Sequence, residues 1–174
     1  MKKISIIIIS LMFILAACSQ SEANVEITLP ASIFEGENID EVIEKAKSDG
    51  VEEVIENEDG SLTYKMSKAK HNEMMKEMEN SIIQSVEEME TSGDYASIKN
   101  IEYSKDFSEF TMIVEKSAYE NSFDGFIVIG LGLQGMYYQM YNGVDTDQNK
   151  VKIDIKDEAT GEIFDTIIYP DTFE

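Results

Sequence analysis

The sequence predicts an α+β fold, a largely antiparallel sheet built from hairpins with three helices packed on one face, following a cleaved signal peptide. Two patterns carry that prediction. Four segments alternate apolar and polar residues with the period of two that a half-buried strand requires: Val25, Ile27 and Leu29; Leu62, Tyr64 and Met66; Phe110, Met112 and Val114; Val151, Ile153 and Ile155. Between them lie three segments with helical spacing, each opened by a capping residue.

The N-terminus is an address. Lys2 and Lys3 precede an apolar run over residues 4–15, which is shorter than the roughly 20 residues a spanning helix needs. Leu15-Ala16-Ala17-Cys18 then supplies a branched aliphatic residue, two small residues and a cysteine, the pattern cut by a lipoprotein signal peptidase. The thiol of Cys18 takes the lipid, and small side chains before it let the backbone enter the protease. The expected organisation is a signal peptide over residues 1–17, a lipidated Cys18 with a short tether to residue 24, and one globular domain over residues 25–174. Six tether residues reach at most roughly 20 Å, so the domain is expected close to the extracytoplasmic face of the cell membrane.

The helices follow from their ends and faces. Asn38, with Glu41 three residues on, caps a helix over about residues 39–49 that buries Ile39, Val42, Ile43 and Ala46 and stops at Gly50. Ser67 opens a longer helix to about Thr91 with Met74, Met75, Met78, Ile82, Val86 and Met89 on one face. Ser117 and Glu120 form a capping box for a third helix to Tyr141, apolar nearly all round from Gly125 onward and therefore central and buried. Gly125, Gly130, Gly132 and Gly135 should cost that helix a few kcal/mol in propensity, so close backbone contact or a local break is expected there. Turn signals at Asp59-Gly60, over residues 104–107 and over residues 159–162 place three hairpins near residues 51–66, 98–115 and 151–169. Hairpin followed by helix occurs twice, with Ser67 and Ser117 in equivalent places, but too few identities connect the two units to claim a duplication.

Composition excludes several functions. The chain carries 35 acidic residues against 14 lysines and no arginine, a net charge of −21. Loss of Lys2 and Lys3 with the leader would take it to −23. Nucleic acid is therefore not a partner, and no bidentate guanidinium is present for carboxylate or phosphate. Lipidation of the one cysteine leaves no disulfide, thiolate metal site or thiol enzyme.

Three motifs suggest chemistry, and each has a structural explanation. Gly130, Gly132 and Gly135 fit G-x-G-x-x-G, with Asp154 at the distance of a ribose-binding acid, yet the segment reads as a helix interior rather than a strand-to-helix turn, so no nucleotide cofactor is assigned. His71 with Met74, Met75 and Met78 would suit copper(I), but the same spacing builds an apolar face that continues through Ile82 and Val86. Asp145, Asp147 and Asn149 match the first ligands of a calcium loop, whereas Lys150 and Lys156 stand where glycine and the bidentate glutamate belong. A Ser-His-Asp hydrolase would have only His71 as base, and a carbohydrate enzyme would lack tryptophan as a platform. No catalytic, cofactor-binding or metal residue is assigned; Cys18 is the one site residue.

Three strings, residues 25–32 with Phe34-Glu35-Gly36, residues 118–126 and residues 157–170, resemble a family of small lipoproteins of Gram-positive, largely clostridial, bacteria. Some members of that family are labelled as similar to the N-terminal part of a streptococcal surface antigen. The resemblance covers nearly all of the chain after Cys18. It implies location and class, and no activity or site residues. The expected role is non-catalytic binding of a protein, peptide or cation partner beside the membrane. The alternatives are acidic capture of cationic peptides or metal ions and a cell-wall-directed enzyme, the latter requiring a cleft that gathers buried carboxylates.

Overall fold

The computed structural model describes residues 24–173, so the leader, Cys18 and most of the tether lie outside the described residues. Strands form where alternation and the expected hairpins place them: β1 (Asn24–Leu29), β2 (Glu53–Glu56), β3 (Leu62–Ser67), β4 (Ile98–Tyr103), β5 (Glu109–Val114), β6 (Val151–Asp157) and β7 (Ile163–Tyr169). Helices α1 (Ile39–Ser48), α2 (Lys68–Thr91), α3 (Lys116–Glu120) and α4 (Ile127–Tyr141) connect them. All three expected hairpins are present as the antiparallel pairs β2–β3, β4–β5 and β6–β7.

The fold is α+β, but its strands form two sheets instead of one. β1 pairs with β3, placing Ile27 opposite Tyr64 and Leu29 opposite Leu62, and gives a three-stranded antiparallel sheet in the order β1-β3-β2. The second sheet has the order β4-β5-β6-β7, with β5 and β6 parallel. That parallel pair follows from the connection: α3 and α4 lie between β5 and β6, and a long crossover returns the chain in the same direction.

The helix termini obey local chemistry. Asn38 accepts a hydrogen bond from the Asp40 amide at 3.1 Å and donates to Glu41 at 3.1 Å, while Gly50 leaves α1 at φ +99°. Ser67 caps α2 through the Lys70 amide at 3.2 Å. The third expected helix differs in two respects. Its cap is Glu115, whose carboxylate accepts from the amides of Ser117 and Ala118, so Ser117 is a helix residue rather than the cap. It is also broken, into α3 and α4, by a 3-10 turn at Asp124–Phe126.

Helix α4 is the spine. Ile127, Val128 and Leu131 join the core beneath β4–β7, with Ile82 and Val86 from α2, while Met140 at the other end of α4 joins the core beneath β1–β3. Two of its glycines let the backbone approach its neighbours. A Cβ on Gly132 would lie 2.7 Å from the Tyr169 ring, and one on Gly135 would meet the Phe107 carbonyl oxygen and come within 2.8 Å of Val151 Cγ2. Phe107 itself turns the β4–β5 hairpin at φ +53°. This left-handed conformation costs a side-chain-bearing residue about 1 to 2 kcal/mol. Burial of the ring, edge-on to Tyr138 at 4.8 Å and stacked on Tyr103 at 5.3 Å, offsets that cost.

The glycines of α4 are thus expected to respond with opposite signs. Gly135→Ala should destabilise the fold by about 1 to 3 kcal/mol, because the backbone oxygen it strikes cannot rotate aside. Gly130→Ala, with nothing within 4 Å of its Cβ, should stabilise by up to about 1 kcal/mol through helix propensity. Chemical denaturation midpoints of the two variants check both.

Candidate functional site

The break between α3 and α4 begins with one aspartate. The Asp124 carboxylate is buried and accepts hydrogen bonds from the Ser97 amide at 3.0 Å and the Ser97 hydroxyl at 2.6 Å, fastening the turn to the start of β4. Beside it, Gly125 leaves room for Tyr119, whose hydroxyl would lie 3.1 Å from a Cβ at that position. Burial holds the Tyr119 phenol above its ordinary pKa, and the nearby carboxylates of Asp165 and Asp124 push it further in the same direction.

In a 3-10 turn, residues three apart eclipse one another. Phe123 and Phe126 flank such a turn, so their rings emerge side by side, with centroids 6.1 Å apart and planes inclined by 17°. Both face solvent, Phe123 being 83% and Phe126 66% exposed. Between them and Val128 and Ile129 lies an apolar hollow of about 260 Å³ whose lining has no titratable group. Such a hollow can receive an apolar side chain but cannot perform acid–base chemistry. Seven and eleven residues beyond Phe126, Leu133 and Tyr137 remain partly exposed on the same helical stripe.

A second concavity, of about 530 Å³, lies between β1 and the loop after α4 and is bordered by Glu26, Asp59, Asp145 and Asp147. Hydrogen bonds from the Ser61 side chain and backbone hold the Asp59 carboxyl below its ordinary pKa. Asp145 and Asp147 are exposed about the 3-10 turn Thr146–Gln148. Asn149 is separated from them in role: it is buried, and its Nδ2 donates to the Met136 carbonyl at 3.0 Å. The three residues therefore do not act together as the calcium-loop spacing would have them do. Among the described residues, no group of three or more His, Cys, Asp or Glu side chains is arranged to hold a metal ion.

The remaining sequence motifs are absorbed into the fold. Residues 126–129 form a turn and the start of α4 rather than a strand, and Gly130 to Gly135 lie inside the helix. Asp154 is engaged by Lys152 at 2.6 Å and by the Thr166 hydroxyl at 2.7 Å. Burial raises its pKa, but those hydrogen bonds outweigh burial, leaving the carboxyl below its ordinary value. His71 uses Nε2 to reach the Tyr141 carbonyl at 2.8 Å, tying the first turn of α2 to the last turn of α4. Met75 is buried, Met74 packs against the core under β1–β3, and Met78 is only half-buried beside Gln134 and Tyr137. Among the described residues, the two buried carboxylates, Asp124 and Asp154, have separate partners, and neither borders the acidic concavity.

Sequence reasoning did not single out Phe123 and Phe126, because an apolar helix continuing through them explained both. The signal was Asp124-Gly125 between two phenylalanines three residues apart: a turn dipeptide inside an apolar run breaks the helix and turns both rings outward.

Residues 17–125 match the family model described as the Adhesin P1 N-terminal domain, a stretch that includes β1 to α3. No curated protein and no solved structure matches the chain.

Replacing Asp124 tests what holds the aromatic turn in place. Asp124→Ala leaves the buried Ser97 amide without its acceptor and should cost about 1 to 3 kcal/mol. Asp124→Asn, which keeps an acceptor oxygen, should cost less. Equal denaturation midpoints for the wild type and Asp124→Ala would show that the turn is held by something else.

Proposed function

Since the chain belongs to the Adhesin P1 N-terminal domain family, we propose that it is a non-catalytic interaction protein outside the bacterial cell, anchored to the membrane by a lipid on Cys18. The family match over residues 17–125, more than half of the 174 residues, carries this reading. An adhesin-type domain supports a surface location and a binding role. The lipobox at Leu15-Ala16-Ala17-Cys18 supports the anchor. Among the described residues no helix is long and apolar enough to cross a membrane. The aromatic patch, whose lining offers contact without acid–base groups, favours holding a partner over transforming a substrate.

A second reading, acidic capture of cationic peptides or metal ions, is favoured by the carboxylates around the β1 concavity. Its signature is binding that falls steeply with salt and is lost on neutralising Glu26 and Asp145.

Cys18→Ala is expected to abolish incorporation of labelled palmitate and to release or misprocess the protein. External protease added to intact protoplasts should digest the wild type. Undiminished labelling of Cys18→Ala, or full protection from the protease, would overturn the anchored, surface-facing reading.

A further inference from the structure

Phe123 and Phe126 are two phenylalanines of about 200 Å² each, and their 83% and 66% exposure offers about 300 Å² of adjoining ring surface. That is the size of the largest apolar patch on a typical monomer, about 300 to 600 Å², which is often functional. It falls well short of the roughly 800 Å² per partner that a stable pair of subunits buries. A second copy is therefore a poor occupant, and the net charge of −21 on each chain opposes self-association further.

The position of the patch argues against the membrane as its occupant. The chain enters β1 at Asn24, which pairs with Ser67 at the start of α2, and His71 one turn later is bonded to Tyr141 at the end of α4. The tether therefore arrives at the pole that contains the last turn of α4. Phe126 lies at the opposite end of that helix, 15 residues and about 22 Å away. A tether of at most roughly 20 Å presents that end outward. An anionic lipid surface would also repel the chain.

Charge identifies the occupant that remains. Glu120, two residues before Ser122 of the hollow, and Asp165, whose charge acts on Tyr119 beside Gly125, are exposed, while Lys116 is shared between Glu120 at 3.9 Å and the face of the Phe164 ring at 4.6 Å. We infer that the Phe123/Phe126 patch docks a polypeptide segment that carries an apolar side chain flanked by lysine or arginine, on the side of the domain facing away from the tether. The apolar residue fills the hollow beside Val128, and the basic residues meet the exposed carboxylates of Glu120 and Asp165. This deepens the binding role proposed above and rests on it.

The test uses the full lipidated protein in neutral detergent micelles and a fluorescent synthetic peptide of leucine and lysine at helical spacing. A control peptide replaces each leucine by serine and keeps every lysine. The Leu–Lys peptide should bind at least tenfold more tightly than the control. The double variant Phe123→Ser/Phe126→Ser should lose at least tenfold in affinity for it, with its denaturation midpoint little changed because both rings face solvent. Phe123→Lys alone, which leaves Phe126 in place and adds like charge, should weaken binding as well. Glu26→Gln/Asp145→Asn, at the other concavity, should leave the preference for leucine intact. Equal binding of both peptides, or no effect of the phenylalanine variants, would mean that net charge alone attracts the probe and would overturn the inference. So would sedimentation showing wild-type dimers lost in the double variant. Quenching of a fluorophore at position 126 by brominated lipid in anionic vesicles would assign the patch to the membrane and overturn it too. Failure of palmitate labelling would remove the anchor without altering peptide binding, so the two readings fail separately.

Discussion

Among the described glycines, the tightest placement is that of Gly135 in α4 against the β4–β5 turn, where an added Cβ would strike the carbonyl oxygen of Phe107. Any side chain at that position would lift the helix off the hairpin, and Gly132 against the Tyr169 ring repeats the requirement on β7. Because α4 is seated on both, Ile127, Val128 and Leu131 reach the core of the second sheet. Each such buried side chain contributes roughly 1.5 to 3 kcal/mol. The same seating carries Met140 into the other core, so α4, together with α2, joins two sheets that share no strand pairing.

A helix that must serve two cores is apolar on more than one face, and its surplus becomes surface. In α4 the surplus appears as Leu133 and Tyr137 and, at its N-terminal end, as Phe126 beside Phe123. The Asp124–Ser97 bonds keep that end fixed to the edge of β4, so the exposed rings sit on a rigid turn. On a chain of net charge −21, these two adjoining rings are the most exposed of the large apolar side chains among the described residues.

Much of this was legible locally. The Asn38–Glu41 box, the Ser67 cap and the Asp59-Gly60 turn each satisfy their hydrogen bonds within a few residues, and all three appear where the sequence places them. Alternation correctly identified the buried sides of β3, β5 and β6. The helix break was half legible. Glycine density implied a break or a close contact, and both occur, but at different glycines: Gly125 at the break, Gly132 and Gly135 at the contacts. The cap was misassigned because Ser117 and Glu115 both offer suitable oxygens, and the geometry of the chain leaving β5 favours Glu115.

By itself the sequence determined the α+β class, the hairpins, the buried character of α4 and the acidic charge, since periodicity, turn residues and composition act over a few positions at a time. Tertiary structure decided the division into two sheets, the parallel β5–β6 pair and the emergence of Phe123 and Phe126. Each of these depends on partners far apart in the chain: Leu29 with Leu62, Met112 with Ile155, and Asp124 with Ser97 across 27 residues. Neither periodicity nor propensity encodes which distant groups meet, because that choice is made by the packing of the whole chain.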